Sequence, residues 1–267
     1  MREIRAKCGC VRKQRAFKAR KPRCRAADMP GRTMLPRPMR IAPAVTLRPP
    51  KARAVEVACA PDARADVEGV GPASFARVLG GSIGMPAMRA ELERLEREGA
   101  LAADPEPRMF VYRAVHAGKR WMGLVCRVDT RDLVTLLPNA SSDAEIAVAH
   151  GDLTAVGAQL APALVQVEPS DDVGYLMVCD TNERPGYHFV ASDGSTHSAW
   201  QVHHPDAYAK AFTELDATEI RAGGGQVMAA HREGSMPLVI LTSDAGSATA
   251  GPLAPRAGLF VMRHPHA

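Results

Sequence analysis

A chain of 267 residues, 46% hydrophobic and 24% charged, has room for one or two domains and needs no small-protein staple to bury a core of ordinary size. No apolar run approaches the roughly 18–20 residues that span a bilayer as a helix, and the first residues lack a secretory apolar stretch, so the cytoplasm is the expected compartment and no membrane partner is expected. The net charge of +5 is unevenly placed: residues 1–38 hold 13 Lys and Arg against Glu3 and Asp28, whereas residues 39–267 hold 21 basic and 27 acidic side chains, which excludes a basic nucleic-acid surface on the body as a whole.

Residues 1–38 have almost no apolar periodicity and close in a Pro-rich stretch, which predicts a segment disordered by itself, followed by a single globular body over 39–267. Three readings stay open for it: a polycation that grips nucleic-acid phosphates non-specifically, upstream sequence read in frame ahead of a start at Met29, Met34 or Met39, or a disordered tail without an assigned role. Cys8, Cys10 and Cys24 have no nearby His to complete a tetrahedral zinc set, and no metal is expected. Cys126 and Cys179 sit in apolar runs and read as small core residues.

In the body, Met39–Leu47 suits an edge strand entering a Pro-rich loop. Residues 72–79 read as a short helix stopped by Gly80 and Gly81. Pro86 opens a second helix running to about Glu98, with Met88, Leu92 and Leu95 on one face, a solvated charged face opposite, and Gly99 as the stop. Met109–His116 and Arg120–Asp129 flank Ala117, Gly118 and Lys119 as a β-hairpin, and Tyr187–Ala191 and His197–His203 flank a second turn over 192–195. Helical stretches near 143–150, 206–215 and Gln226–Arg232, and a buried strand over Pro237–Thr242, complete the pattern. Strands and helices without a regular βαβ period predict an α+β fold, a mixed and mainly antiparallel sheet with packed helices.

Seven short stretches then carry a resemblance. They are Met39-Arg-Ile-Ala-Pro, Pro72-Ala-Ser-Phe, Glu98-Gly-Ala-Leu, Val111-Tyr-Arg, Arg120-Trp-Met-Gly-Leu-Val, Asp193-Gly-Ser-Thr-His-Ser-Ala-Trp200 and Ile220-Arg-Ala-Gly. Their order and spacing over residues 39–260 resemble the bacterial domain-of-unknown-function 1015 family, in a shortened form. The resemblance implies a core similar to the ParB and sulfiredoxin-like superfamily, whose members bind nucleotides or transfer phosphate, free-serine kinases among them. It also marks Asp62, Arg113, Arg120, Asn139, Asp193, His197 and Trp200 as family-motif positions.

The departures from that pattern bear most on function. Where the family carries I-A-D-G-H-H-R at the start of a helix, this chain reads Ile220, Arg221, Ala222, Gly223, Gly224, Gly225, Gln226. An H-E pair becomes Asn139 and Ala140, and a P-P-Y-D element is reduced to Ala60, Pro61, Asp62. Phosphoryl transfer needs cations clamped on the transferring group and a carboxylate or His at the acceptor proton, and Gln226 cannot replace an Arg fork. Backbone N–H groups of Gly223, Gly224, Gly225 and Gln226 are all that remains there for a small anion or a nucleotide with magnesium, and a plain flexible turn is the simpler reading. His197 and Trp200, an odd number of positions apart on one strand, should face opposite sides, with Trp200 in the core and His197 hydrogen-bonded near the turn. Arg113 and Arg120 stand on the two hairpin arms, open either to a shared anion or to a surface ladder pair. His203 and His204 have no acid or thiol cluster to complete a metal site. The expectation is a non-catalytic relative, with a small-molecule phosphotransferase or nucleotide-binding enzyme, and nucleic-acid binding through residues 1–38, as the alternatives.

Overall fold

Thirteen residues of amphipathic helix and a tight hairpin are the two most regular pieces of a larger α+β architecture. The computed structural model describes residues 39–59, 70–79, 85–133, 135–137, 141–243 and 253–264. Residues 1–38, Asp62, Asn139 and the Gly80–Gly81 stop lie outside the described residues. In chain order the strands are β1 (Ile41–Ala42), β2 (Leu47–Arg48), β3 (Ala102–Ala103), β4 (Phe110–His116), β5 (Lys119–Val128), β6 (Ala158–Gln159), β7 (Ala163–Val167), β8 (Tyr187–Val190), β9 (Thr196–Gln201), β10 (Ala217–Ala222), β11 (Leu238–Thr242) and β12 (Met262–Arg263). The helices are α1 (Ala54–Val57), α2 (Ala76–Leu79), α3 (Met85–Arg97), α4 (Asp143–Gly151), α5 (Asp171–Thr181), α6 (Pro205–Phe212) and α7 (Gly224–Arg232).

Eight strands form one sheet in the order β10-β7-β11-β5-β4-β9-β8, with β1 paired to the last residues of β5. The β7–β11 pair is parallel and the other pairs are antiparallel, so the sheet is mixed and mainly antiparallel. The β4–β5 hairpin closes on two residues, since His116 pairs with Lys119. Ala117 (φ 48°) and Gly118 (φ 77°) both adopt the left-handed region, as a twist-matched two-residue turn requires. Lys119, expected in the turn, is the first residue of β5.

Period-two alternation divides the sheet's side chains between two cores. On one face Val111, Leu124, Val165, Val239, Leu241 and Trp200 pack beneath α5, α6 and α7, which contribute Met177, Tyr208, Phe212 and Val227. On the other, Phe110, Tyr112, Trp121, Leu164, Ile240 and Tyr187 meet Leu253, Leu259 and Phe260 of the C-terminal segment. A third cluster joins α2 and α3 through Phe75, Val78, Leu92 and Leu95. At the end of α3 the Ala100 N–H donates to the Leu95 carbonyl at 2.8 Å around Gly99 (φ 66°), a Schellman stop at the predicted residue. A buried polar staple holds the second face: Asp104 accepts from Thr46 Oγ1 at 2.7 Å and pairs with Arg48, whose guanidinium carbon lies 4.4 Å from the Phe110 ring centroid.

Several expectations need correction. Cys179 is not a core residue: it lies on the exposed side of α5, because the buried face of that helix runs through Val173, Met177 and Asp180, spaced four and three apart. Met39–Leu47 is not one strand but β1 and β2 with an isolated bridge at Ala44 between them. The helix over 72–79 shortens to α2. The charged side of α3 is only partly solvated, since Glu91 pairs with Arg77 of α2 and with Arg94.

Candidate functional site

The sequence-predicted site residues fall into three separate places. The first is a buried polar cluster on the second face of the sheet. Tyr112 of β4 and His197 of β9 share that face as diagonal neighbours, since Tyr112 pairs with Ala199 and Ala114 with His197. His197 Nδ1 is 2.6 Å from Tyr112 Oη, and His197 Nε2 lies 2.9 Å from Arg256 Nε and 2.7 Å from Ser195 Oγ. Arg256 Nη2 also donates to Ser195 Oγ at 2.6 Å and pairs with Asp193, while the Ser195 backbone N–H donates to Asp193 Oδ1 at 3.0 Å.

Proton positions follow from this geometry. Arg256 Nε can only donate, so Nε2 accepts, the ring proton sits on Nδ1, and it is donated to Tyr112 Oη. Burial, reinforced by the positive charge of Arg256, lowers the His197 pKa to about 3, so the imidazole is neutral. Burial alone would raise the Asp193 pKa, but hydrogen bonds from Arg256 and Ser195 hold its carboxyl well below the usual range. Burial also pushes the Tyr112 phenol up. Ser, His and Asp are close together here, yet the arrangement is not that of an activated nucleophile. Ser195 and His197 are fully buried, the Asp sits on the Ser rather than on the His, and Arg256 occupies the lone pair a general base would need. The cluster clamps the C-terminal segment to the sheet. His197 is hydrogen-bonded near the turn and faces away from Trp200, as the odd spacing predicts.

The second place is the glycine turn. Gly223 takes the left-handed region (φ 72°) ahead of α7, which begins at Gly224, two residues earlier than expected. Gly225 is a packing contact: a Cβ there would sit 2.6 Å from the Glu145 carbonyl oxygen of α4. Helix α4 itself starts in a capping box in which Ser142 and Glu145 satisfy each other's backbone N–H groups. Between the two helices lies a cleft of about 350 Å³ lined by Glu145, Asp152, Gly223, Gly224, Gly225 and Gln226, whose charged lining groups are both carboxylates. Hydrogen bonds from the Ser142 backbone and hydroxyl hold the Glu145 carboxyl below its usual range. Gln226 Oε1 is buried without a hydrogen-bond partner. A phosphate entering here would meet the α7 N–H groups beside the Glu145 carboxylate, with no cationic side chain among the described lining residues.

No protein-family model, curated protein or solved structure matches this chain.

The third place is a groove of about 700 Å³ on the first face of the sheet, lined by Lys51, Arg113, Glu183, Arg184, His188 and Trp200 among others. Trp200 is 4% exposed and its Nε1–H donates to the Glu183 carbonyl at 2.9 Å. The Arg113 guanidinium carbon stands 4.7 Å from the Trp200 ring centroid. Burial and then the nearby Arg120 charge lower the Arg113 pKa. Arg113 and Arg120 are not a directly opposed ladder pair: Arg113 pairs with Met122 and Arg120 with Val115, which makes them diagonal neighbours on one face. Among the described residues no cluster of three or more His, Cys, Asp or Glu is placed to hold a metal ion, and no helix is long and apolar enough to cross a membrane.

Arg256, Tyr112, Ser195, Lys51 and Arg184 were not among the predicted site residues. Tyr112 and Ser195 lie within stretches that carry the resemblance and share a face with His197 by strand phase, so the pattern puts them within reach. Arg256 reaches the cluster only through tertiary closure and has no local signal.

Proposed function

We propose that the protein is a non-catalytic relative of the domain-of-unknown-function 1015 family, a cytoplasmic chain that keeps a scaffold related to the ParB and sulfiredoxin-like core and has lost phosphoryl transfer. The observation that carries this reading is the use made of Gly223–Gln226. Where the resemblance expects a charged signature, the chain has a turn whose Gly225 is pressed on the α4 backbone and whose cleft has no cationic side chain among its described lining residues. A transferring phosphoryl group needs clamped cations, and the described lining supplies none. The imidazole at His197 supports the same reading, because a neutral ring that is sealed in the sheet and accepts from Arg256 has no proton-transfer role to offer a substrate.

The alternative, a nucleotide-binding enzyme, draws on the α7 N-terminus, whose first-turn N–H groups remain a weak anion nest. Thermal shift and calorimetry with ATP, ADP, free serine and phosphate, with and without magnesium, separate the two. The expected result is no magnesium-dependent ATP stabilisation that responds to Gly224→Leu, a bulky side chain at the first position of α7. Saturable, magnesium-dependent stabilisation lost in a folded Gly224→Leu variant but kept in Lys51→Met/Arg184→Met would overturn the non-catalytic reading.

A further inference from the structure

The groove on the first face of the sheet has an electrostatic character opposite to that of the body that carries it. Residues 39–267 are acidic overall, yet Lys51, Arg113 and Arg184 converge on one concavity. Among the described residues no carboxylate pairs with any of the three, whereas the carboxylate of Glu183, on the same rim, is paired with His203 Nε2 at 3.1 Å. His188 spends its Nδ1 on Ser198 Oγ at 3.0 Å, leaving the other ring nitrogen for a ligand.

Arg113 is the most constrained of these groups. It sits in the middle of the sheet on β4, its guanidinium rests on an indole that is itself anchored to the Glu183 carbonyl, and its Nε is buried with no hydrogen-bond partner. A buried guanidinium N–H without an acceptor is costly, and Arg120 on the same face adds a like charge instead of a counterion. Stacking fixes the plane of the fork, and a fork held in one plane is suited to two parallel hydrogen bonds to an oxyanion. Lys51, at the start of a short 3-10 turn over Lys51–Arg53, and Arg184, on a loop, are both exposed and supply charge at the rim. The groove is also larger than a bare phosphate requires.

We propose that this groove binds a small molecule through a phosphate or diphosphate group, with Arg113 as the fixed fork, Lys51 and Arg184 closing on the outer oxygens and His188 donating from the side. The concave shape and the net negative charge of residues 39–267 favour a small ligand over a nucleic-acid backbone, which would need an extended basic face. The proposal goes beyond the non-catalytic reading and does not rest on it: detected turnover would sink that reading and leave this site in place.

The test is calorimetric titration of the full-length protein with pyrophosphate, inorganic phosphate and glycerol 3-phosphate. Pyrophosphate is expected to bind saturably at one site, and Arg113→Met to weaken it at least tenfold. The surface double variant Lys51→Met/Arg184→Met, which leaves the core untouched, is expected to weaken it comparably and decides the matter if Arg113→Met fails to fold. Binding unchanged in the variants belongs to the basic segment 1–38 or to another surface and overturns the proposal, as does absence of saturable binding by all three probes. Glycerol 3-phosphate binding tighter than inorganic phosphate supports an esterified ligand, and the reverse order supports the free oxyanion at the same site.

Discussion

Replacing His197 with Gln tests the buried cluster through its response to pH. The wild-type imidazole is fully buried, neutral and lowered to about 3 in the folded state, against about 6.5 in an unfolded chain. Above pH 6.5 the ring is neutral in both states and contributes nothing to the pH dependence. Below it, the unfolded chain takes up a proton that the folded chain refuses until about pH 3, so stability falls with falling pH by about 1.4 kcal/mol per unit. Between pH 6.5 and 5 the loss attributable to His197 is therefore about 2 kcal/mol. The Gln side chain retains an acceptor for Arg256 and cannot be protonated, so His197→Gln starts less stable at pH 7.5 but declines less steeply. Urea denaturation of both proteins at half-unit steps from pH 7.5 to 5 yields the two slopes, and every other titrating group cancels in their difference. Parallel curves would refute the claim that His197 is held neutral.

Other consequences follow from single contacts. Asp104→Ala leaves the Arg48 guanidinium over Phe110 with no carboxylate and is expected to cost about 3 kcal/mol, read as a lowered urea midpoint at constant slope. Gly225→Ala drives a methyl group against the Glu145 carbonyl of α4 and is expected to cost about 1–3 kcal/mol, with a fall of several degrees in Tm. Ala117→Asn relieves a left-handed Ala at the first position of the β4–β5 turn and should stabilise by roughly 0.5–1 kcal/mol, while Ala117→Val should destabilise. Cys179→Ser, on the exposed side of α5, is expected to change stability by less than about 0.5 kcal/mol, in contrast to the buried Cys126.

Local chemistry explains which parts of the fold were legible in the residues. The β4–β5 hairpin, α3 with its Gly99 stop, the start of α4 and the buried strand β11 each carry a period or a cap that acts over a few residues. Helix α5 is hard to read from sequence because Leu176, Met177, Val178 and Cys179 form an apolar run that hides the four-residue spacing of Val173 and Met177. Ser170 ahead of Asp171 and Asp172 was the cap signal that marks it. Strand β7 is buried nearly throughout and pairs in parallel with β11, more than 70 residues away, so neither alternation nor a turn announces it. The predicted site residues scattered for a similar reason. Strand phase correctly separated His197 from Trp200, but which isolated basic residues would meet Arg113 or His197 depended on the loops that carry Lys51, Arg184 and Arg256 across the sheet.

The central claim, that the scaffold carries no phosphoryl transfer, is tested most directly by quantifying ADP after prolonged incubation of the purified protein with magnesium and ATP in the presence of free serine and other small hydroxyl acceptors. The account predicts ADP indistinguishable from the protein-free control. ADP that accumulates in proportion to protein concentration and disappears in a folded Gly224→Leu variant would contradict it.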